Sequence, residues 1–171
     1  LHSLTLISPS GFTRRENTQA SQRASGSSAS DIALALFRFP LWSQGIYDAL
    51  TTRSSIRYFL KQSFEGAPDE GMIAYDYLTA HQRGARFAPF YFVSGKLFSR
   101  HIREEVYEKL TLPVLVLYDR DEFVRFDTLP DTLGECPNWR AVRITQTRGL
   151  PHFEQLPSVV NALNDFWSAF A

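Results

Sequence analysis

One cysteine and one methionine occur in 171 residues. With Cys136 as the only thiol, an intramolecular disulfide is impossible and a thiolate metal cluster is excluded, which suits a reducing compartment. Net charge is absent as well: 18 basic side chains balance 18 acidic ones. No overall field therefore draws the chain to nucleic acid or to an anionic membrane. No apolar run approaches the roughly 20 residues that a membrane helix requires. The run Leu1–Ile7 has no basic flank and is too short for a secretory leader, and no Asn-x-Ser/Thr site occurs. His2, His81 and His101 show no metal-ligand spacing with one another or with carboxylates. These absences predict a cytoplasmic protein without a nucleic-acid partner, a membrane span or a metal.

What is present is enough apolar material for a core. Hydrophobic residues make up 44% of the chain, the range of globular proteins rather than disordered ones. Ser3–Ser8 is a β-rich run that ends on the turn residues Pro9-Ser10-Gly11. It lacks clean alternation, which predicts a parallel strand buried on both faces. Such a strand needs neighbours on both sides, so a segment of sheet preceding it is expected. Thr13–Ser30 (TRRENTQASQRASGSSAS) is polar and too poor in apolar residues to offset the entropy of ordering; it reads as a linker or loop.

From Asp31 to about Leu110 the pattern is helical. Asp31 suits an N-cap ahead of Ile32–Phe37, and Pro40 stops that helix. Asp69 and Glu70 favour a helix start before Met72, Ile73 and Tyr77, and Ser99 could cap a helix that uses Ile102, Val106 and Leu110. Most of the aromatics lie here, among them Tyr47, Tyr58, Phe59, Phe64, Tyr75, Phe90 and Phe92. They serve either as packing between helices or, for some, as the lining of an apolar pocket.

The pattern then returns to strands. Pro113–Tyr118 is a near-continuous apolar run closed by Asp119-Arg120-Asp121, a buried parallel strand leading into a polar loop. Phe126–Cys136 predicts a short helix and Trp139–Thr145 a further strand. Leu156, Val159, Val160, Leu163, Phe166 or Trp167, and Phe170 follow helical spacing, with Pro157 in the first turn. Strand, helix, strand, helix is the unit of a parallel α/β sheet.

In open α/β sheets the chemistry sits beyond the carboxyl ends of the strands. Two of those ends supply functional groups: carboxylates at Asp119 and Asp121, and an imidazole at His152. An acid and then a histidine, each after a buried strand with a helix between, is the order of the last two members of a Ser…Asp…His triad. VLVLYDRDEFV (Val114–Val124) resembles the penultimate strand of α/β-hydrolases, whose following turn ends on the catalytic Asp; Asp121 matches that place. GLPHFEQLPSVVNALNDFW (Gly149–Trp167) is similar to that family's last loop and helix, and SLTLISPSGF (Ser3–Phe12) to the strand where a cap is inserted.

The resemblance implies an α/β chain: the C-terminal part of an α/β-hydrolase parallel sheet with an inserted helical cap. Residues 1–12 and 111–171 would be core, and 13–110 linker and cap. It implies a serine hydrolase acting through an acyl-enzyme on a small, fairly apolar ester or related acyl substrate, without metal or organic cofactor. Asp121 would orient the base and His152 would be that base, with Asp119 in reserve. The nucleophile would lie in an N-terminal half of the same fold, so this chain alone would be inactive.

Two features depart from the family pattern. Tyr118 stands where the family usually has Gly. The family's base is the His of a Gly-His pair five residues before a Glu, and counting back from Glu154 reaches Gly149. Either the loop is remodelled so that His152 serves, or the fold is catalytically degenerate and binds a small molecule or a partner. Other near-motifs carry nothing. Ser8-Pro9-Ser10-Gly11 lacks the first Gly of a G-x-S-x-G elbow, Ser94-Gly95-Lys96 is no phosphate loop, and Thr13-Arg14-Arg15 is too short for a nucleic-acid arm.

Overall fold

The computed structural model describes residues 2–14, 39, 43–93, 99 and 101–169. The helix expected over Ile32–Phe37, and the linker beyond Arg14, lie outside the described residues. The chain forms two compact units, one of Leu1–Arg14, Gln62–Gly66 and His101–Ala171, the other of Arg15–Lys61 and Ala67–Arg100.

The first unit is built on three parallel strands in the order β1 (Leu4–Ile7), β2 (Val114–Arg120) and β3 (Trp139–Arg148). Leu4 pairs with Val114 and Ile7 with Leu117, while Val114 pairs with Trp139 and Tyr118 with Arg143. β2, in the middle, is buried along its apolar run because successive side chains point to opposite faces and both faces are covered. Leu115 and Leu117 pack with Ile144 of β3 against Val159, Ala162 and Phe166 of the last helix, α8 (Leu156–Ser168). On the opposite face Val114 and Val116 join Phe12, Trp139 and Leu129, the last from α6 (Leu129–Glu135). Burying each such side chain contributes about 1.5–3 kcal/mol. Asn138 fastens the approach to β2, its side-chain amide donating to the carbonyls of Leu110 and Leu112 at 2.8 and 2.7 Å.

β1 differs from expectation. It pairs with β2 alone among the described residues, and its side chains are half-buried at Leu4, Thr5 and Leu6 and exposed at Ile7 rather than buried on both faces. The helix expected from Ser99 is also broken. A four-residue turn, α5 (Ile102–Glu105), precedes a 3-10 turn at Tyr107–Lys109, with Val106 outside helical geometry between them. The break turns Tyr107 onto Phe12, stacked at 5.6 Å, and against Trp139 at 5.7 Å. Arg103 holds the turn through Glu108 and Glu135 at 2.8 and 2.9 Å. Gly11 is needed beside it. Its φ is +106°, and a Cβ there would come within 2.5 Å of Ile102 Cγ2.

The second unit contains α1 (Ser43–Leu50), α2 (Arg53–Gln62, whose final residue belongs to the first unit), α3 (Glu70–Ala80) and α4 (Phe87–Val93). Asp69 caps α3 by accepting from the Met72 amide at 3.0 Å. Tyr47 and Ile73 are buried, and the Tyr47 hydroxyl donates to the Ala80 carbonyl at 2.7 Å. Tyr58, Phe59, Tyr75, Phe87 and Tyr91 are each more than a third exposed. Among the described residues no helix is long and apolar enough to cross a membrane, and no group of His, Cys, Asp and Glu could hold a metal ion.

Candidate active site

The carboxyl ends of β2 and β3 lie side by side, and a break in their pairing shapes them. Tyr118 faces Arg143, yet Arg120 faces Arg148, so β3 carries extra residues in between. That bulge takes β3 beyond the predicted end at Thr145 to Arg148, with Gln146 in the left-handed region at φ +64°. Asp119 holds it. Its side chain is only 2% exposed; Oδ1 accepts from Arg143 Nε at 2.7 Å and Oδ2 from the Thr147 amide at 3.2 Å. The Thr147 hydroxyl donates to the Ile144 carbonyl at 2.7 Å. Both oxygens of the reserve acid are therefore committed to the shape of the strand.

Burial alone would push the Asp119 pKa up. The hydrogen bonds from Arg143 and the Thr147 amide, with the nearby charges of Arg143 and Arg120, outweigh it and hold the carboxyl below its ordinary value. A group held low in the fold stabilises it above the unfolded value of about 3.9, and that contribution is lost as pH falls below it. Asp119→Ala also leaves the buried Thr147 amide without its acceptor, an expected cost of about 1–3 kcal/mol in urea unfolding at pH 7. The cost should shrink as pH is lowered through 4 towards 3. An equal cost at pH 7 and pH 3 would show that the carboxylate charge does not matter.

Asp121 stands one turn further on. Its Oδ1 accepts from the amides of Phe123 and Val124 at 2.7 and 3.2 Å, bracing its own turn. Its Oδ2 accepts no hydrogen bond from a described residue. Across from it the Gly149 amide donates to the Arg120 carbonyl at 2.9 Å, tying the two strand ends together. Gly149 has φ +70°, and a Cβ there would lie 3.2 Å from Asp121 Oδ2. The place where the resemblance puts the base thus adjoins the carboxylate, but it is a glycine.

His152 follows three residues later, in the four-residue helix α7 (Pro151–Glu154). Its ring lies 4.4 Å from that of Phe153. Nδ1 is buried and has no hydrogen-bond partner, and no hydrogen bond joins it to Asp121 among the described residues. Burial lowers the imidazole pKa, which favours the neutral ring at pH 7. The structure therefore brings Asp121 beside Gly149 and leaves His152 in the same loop without a bond to the acid. Exposed Phe153 follows His152 directly, and exposed Phe123 lies two residues after Asp121.

Sequence reasoning missed the part played by Glu154. Its carboxylate accepts the amides of Glu65, Gly66 and Arg148. Glu154 served only as a counting mark in the last loop, because three backbone donors converging on one side chain leave no pattern in sequence.

No protein-family profile matches the sequence, and no curated protein matches it. Solved structures do. A serine hydrolase involved in carbazole degradation, the CarC enzyme, is 21% identical with a TM-score of 0.54, over 70% of this chain and 48% of that one. A membrane phospholipase A described as a bacterial virulence factor is 15% identical with a TM-score of 0.64, over 99% of this chain and 49% of that one. The chain spans about half the length of both structures. At such identities the likeness concerns fold rather than activity. With three parallel strands, helices on both faces and these structural neighbours, the chain has the architecture of the C-terminal part of an α/β-hydrolase fold.

Proposed function

We propose that this chain is the acid-and-base half of a serine hydrolase acting on an ester or related acyl compound. The observation that carries this reading is the pair of unused atoms at neighbouring strand ends: Asp121 Oδ2, facing the histidine loop, and the unpartnered Nδ1 of His152. In this role His152 takes the proton of a serine hydroxyl and returns it to the leaving group. Asp121 orients the ring and stabilises the imidazolium. The serine and the oxyanion-hole amides come from a segment of the same fold preceding β1, whose outer edge pairs with no strand among the described residues and offers backbone groups for another. In this reading residues 13–110 are linker and cap, and residues 1–12 and 111–171 are core. Exposed Phe123 and Phe153 favour a small, fairly apolar substrate, and the lone thiol of Cys136 suits the cytoplasm.

A second reading has its own support. Gly149 at the family's base position favours a catalytically degenerate α/β-hydrolase-like protein that binds a small molecule or a partner. The discriminating experiment is hydrolysis of a short p-nitrophenyl ester by the full-length protein, with the segment before β1 sequenced. Turnover together with Gly-x-Ser-x-Gly between a strand and a helix supports the enzyme. An elbow without Ser, Cys or Asp, and no turnover, leaves the binding protein.

A further inference from the structure

Arg148 ends β3 and Glu154 ends α7. Glu154 Oε2 accepts the Arg148 amide at 2.8 Å, which closes the stretch Gly149–Phe153 into a ring with His152 inside it. The other oxygen, Oε1, accepts the amides of Glu65 and Gly66 at 2.7 and 3.1 Å. The Ser63 carbonyl of that same segment lies 3.7 Å from where a Cβ on Gly149 would be. One carboxylate therefore sets the loop's span and its seat. A negative charge at the carboxyl end of a helix is electrostatically unfavourable, so the three amides, and not the helix, account for its place. Glu65 itself pairs with Arg120 at 3.1 Å, so the segment is also fastened to the end of β2.

We propose that Glu154 is a positioning residue for His152: by holding three backbone amides it fixes the loop so that the imidazole stays packed against Phe153, in the loop whose Gly149 adjoins Asp121. The proposal rests on the reading of His152 as the base, and it locates what holds that base in place. Gln in its stead offers only one acceptor oxygen and sets an NH2 against a backbone N–H, so it cannot satisfy both ends of the loop.

The test uses the 171-residue chain itself, read by NMR on the four histidines, with His2, His81 and His101 as references. In Glu154→Gln and Glu154→Ala the His152 Cε1–H signal is expected to move. Its titration midpoint should rise towards the value of about 6.5 for a solvated imidazole, while the signals of the other three histidines stay in place. An unchanged His152 signal and midpoint, with faster amide exchange at Glu65, Gly66 and Arg148, would show a merely structural clasp and overturn the proposal. If the Ala variant unfolds, the Gln variant, which keeps the volume and one acceptor, decides. Undiminished turnover by His152→Ala in the full-length protein would sink the base assignment without altering this result, because the signal reports position and not chemistry.

Discussion

On the proposed hydrolase reading, full-length protein carrying His152→Ala should hydrolyse a short p-nitrophenyl ester roughly 100- to 10,000-fold more slowly than the unaltered protein, with KM little changed. The range is what a positioned general base contributes to proton transfer. Asp121→Ala should cost a similar factor, because without the carboxylate the ring loses its orientation and the imidazolium its counter-charge. The double variant should be hardly worse than either alone, since groups acting on one proton form a unit. The pH profile adds a sign. Burial holds the His152 pKa below about 6.5, so the acid limb of kcat/KM should fall below that pH and activity should be level above it. His152→Ala with undiminished turnover would remove His152 as base. A loss confined to Asp121→Ala would mean that the acid serves some other partner.

The second large effect concerns stability. Phe166→Ala is expected to destabilise the fold by about 3–5 kcal/mol, because the ring is 2% exposed and packs against Leu115, Leu117 and Ile144. Its neighbour Trp167 is 50% exposed, so Trp167→Ala should stay within about 0.5 kcal/mol. Both residues suit the apolar spacing of α8, yet only one can face the sheet. Chemical denaturation of the two variants in this chain separates them. Equal losses would mean that the helix is rotated from the position described. Leu156 and Val160, which share the spacing, are exposed as well, so a stripe of α8 faces away from this core.

Much of the architecture was legible because it is written in local spacing. The near-continuous apolar run Pro113–Tyr118, closed by a polar turn, reads as a strand covered on both faces, and Val114–Arg120 is the middle strand. The helix start at Asp69 and Glu70 was legible because negative charge favours a helix N-terminus; the structure adds that Asp69 caps it through the Met72 amide. The break at Val106 was not legible. Ile102, Val106 and Leu110 keep helical spacing, but Tyr107 is drawn onto Phe12 and Trp139, which come from distant parts of the chain. Nor was the bulge in β3, since Thr145, Gln146 and Thr147 carry no turn signal of their own.

Sequence alone determined that two parallel strands end on an acid and then, after a helix, on a histidine loop, because strand and helix periods repeat over a few residues. Tertiary structure decided which carboxylate is spent and which is available. Asp119 is consumed by Arg143 and Thr147, 24 and 28 residues away, whereas one oxygen of Asp121 adjoins Gly149 and accepts no hydrogen bond among the described residues. A carboxylate's role depends on which donors reach it, and only the folded chain brings those donors together.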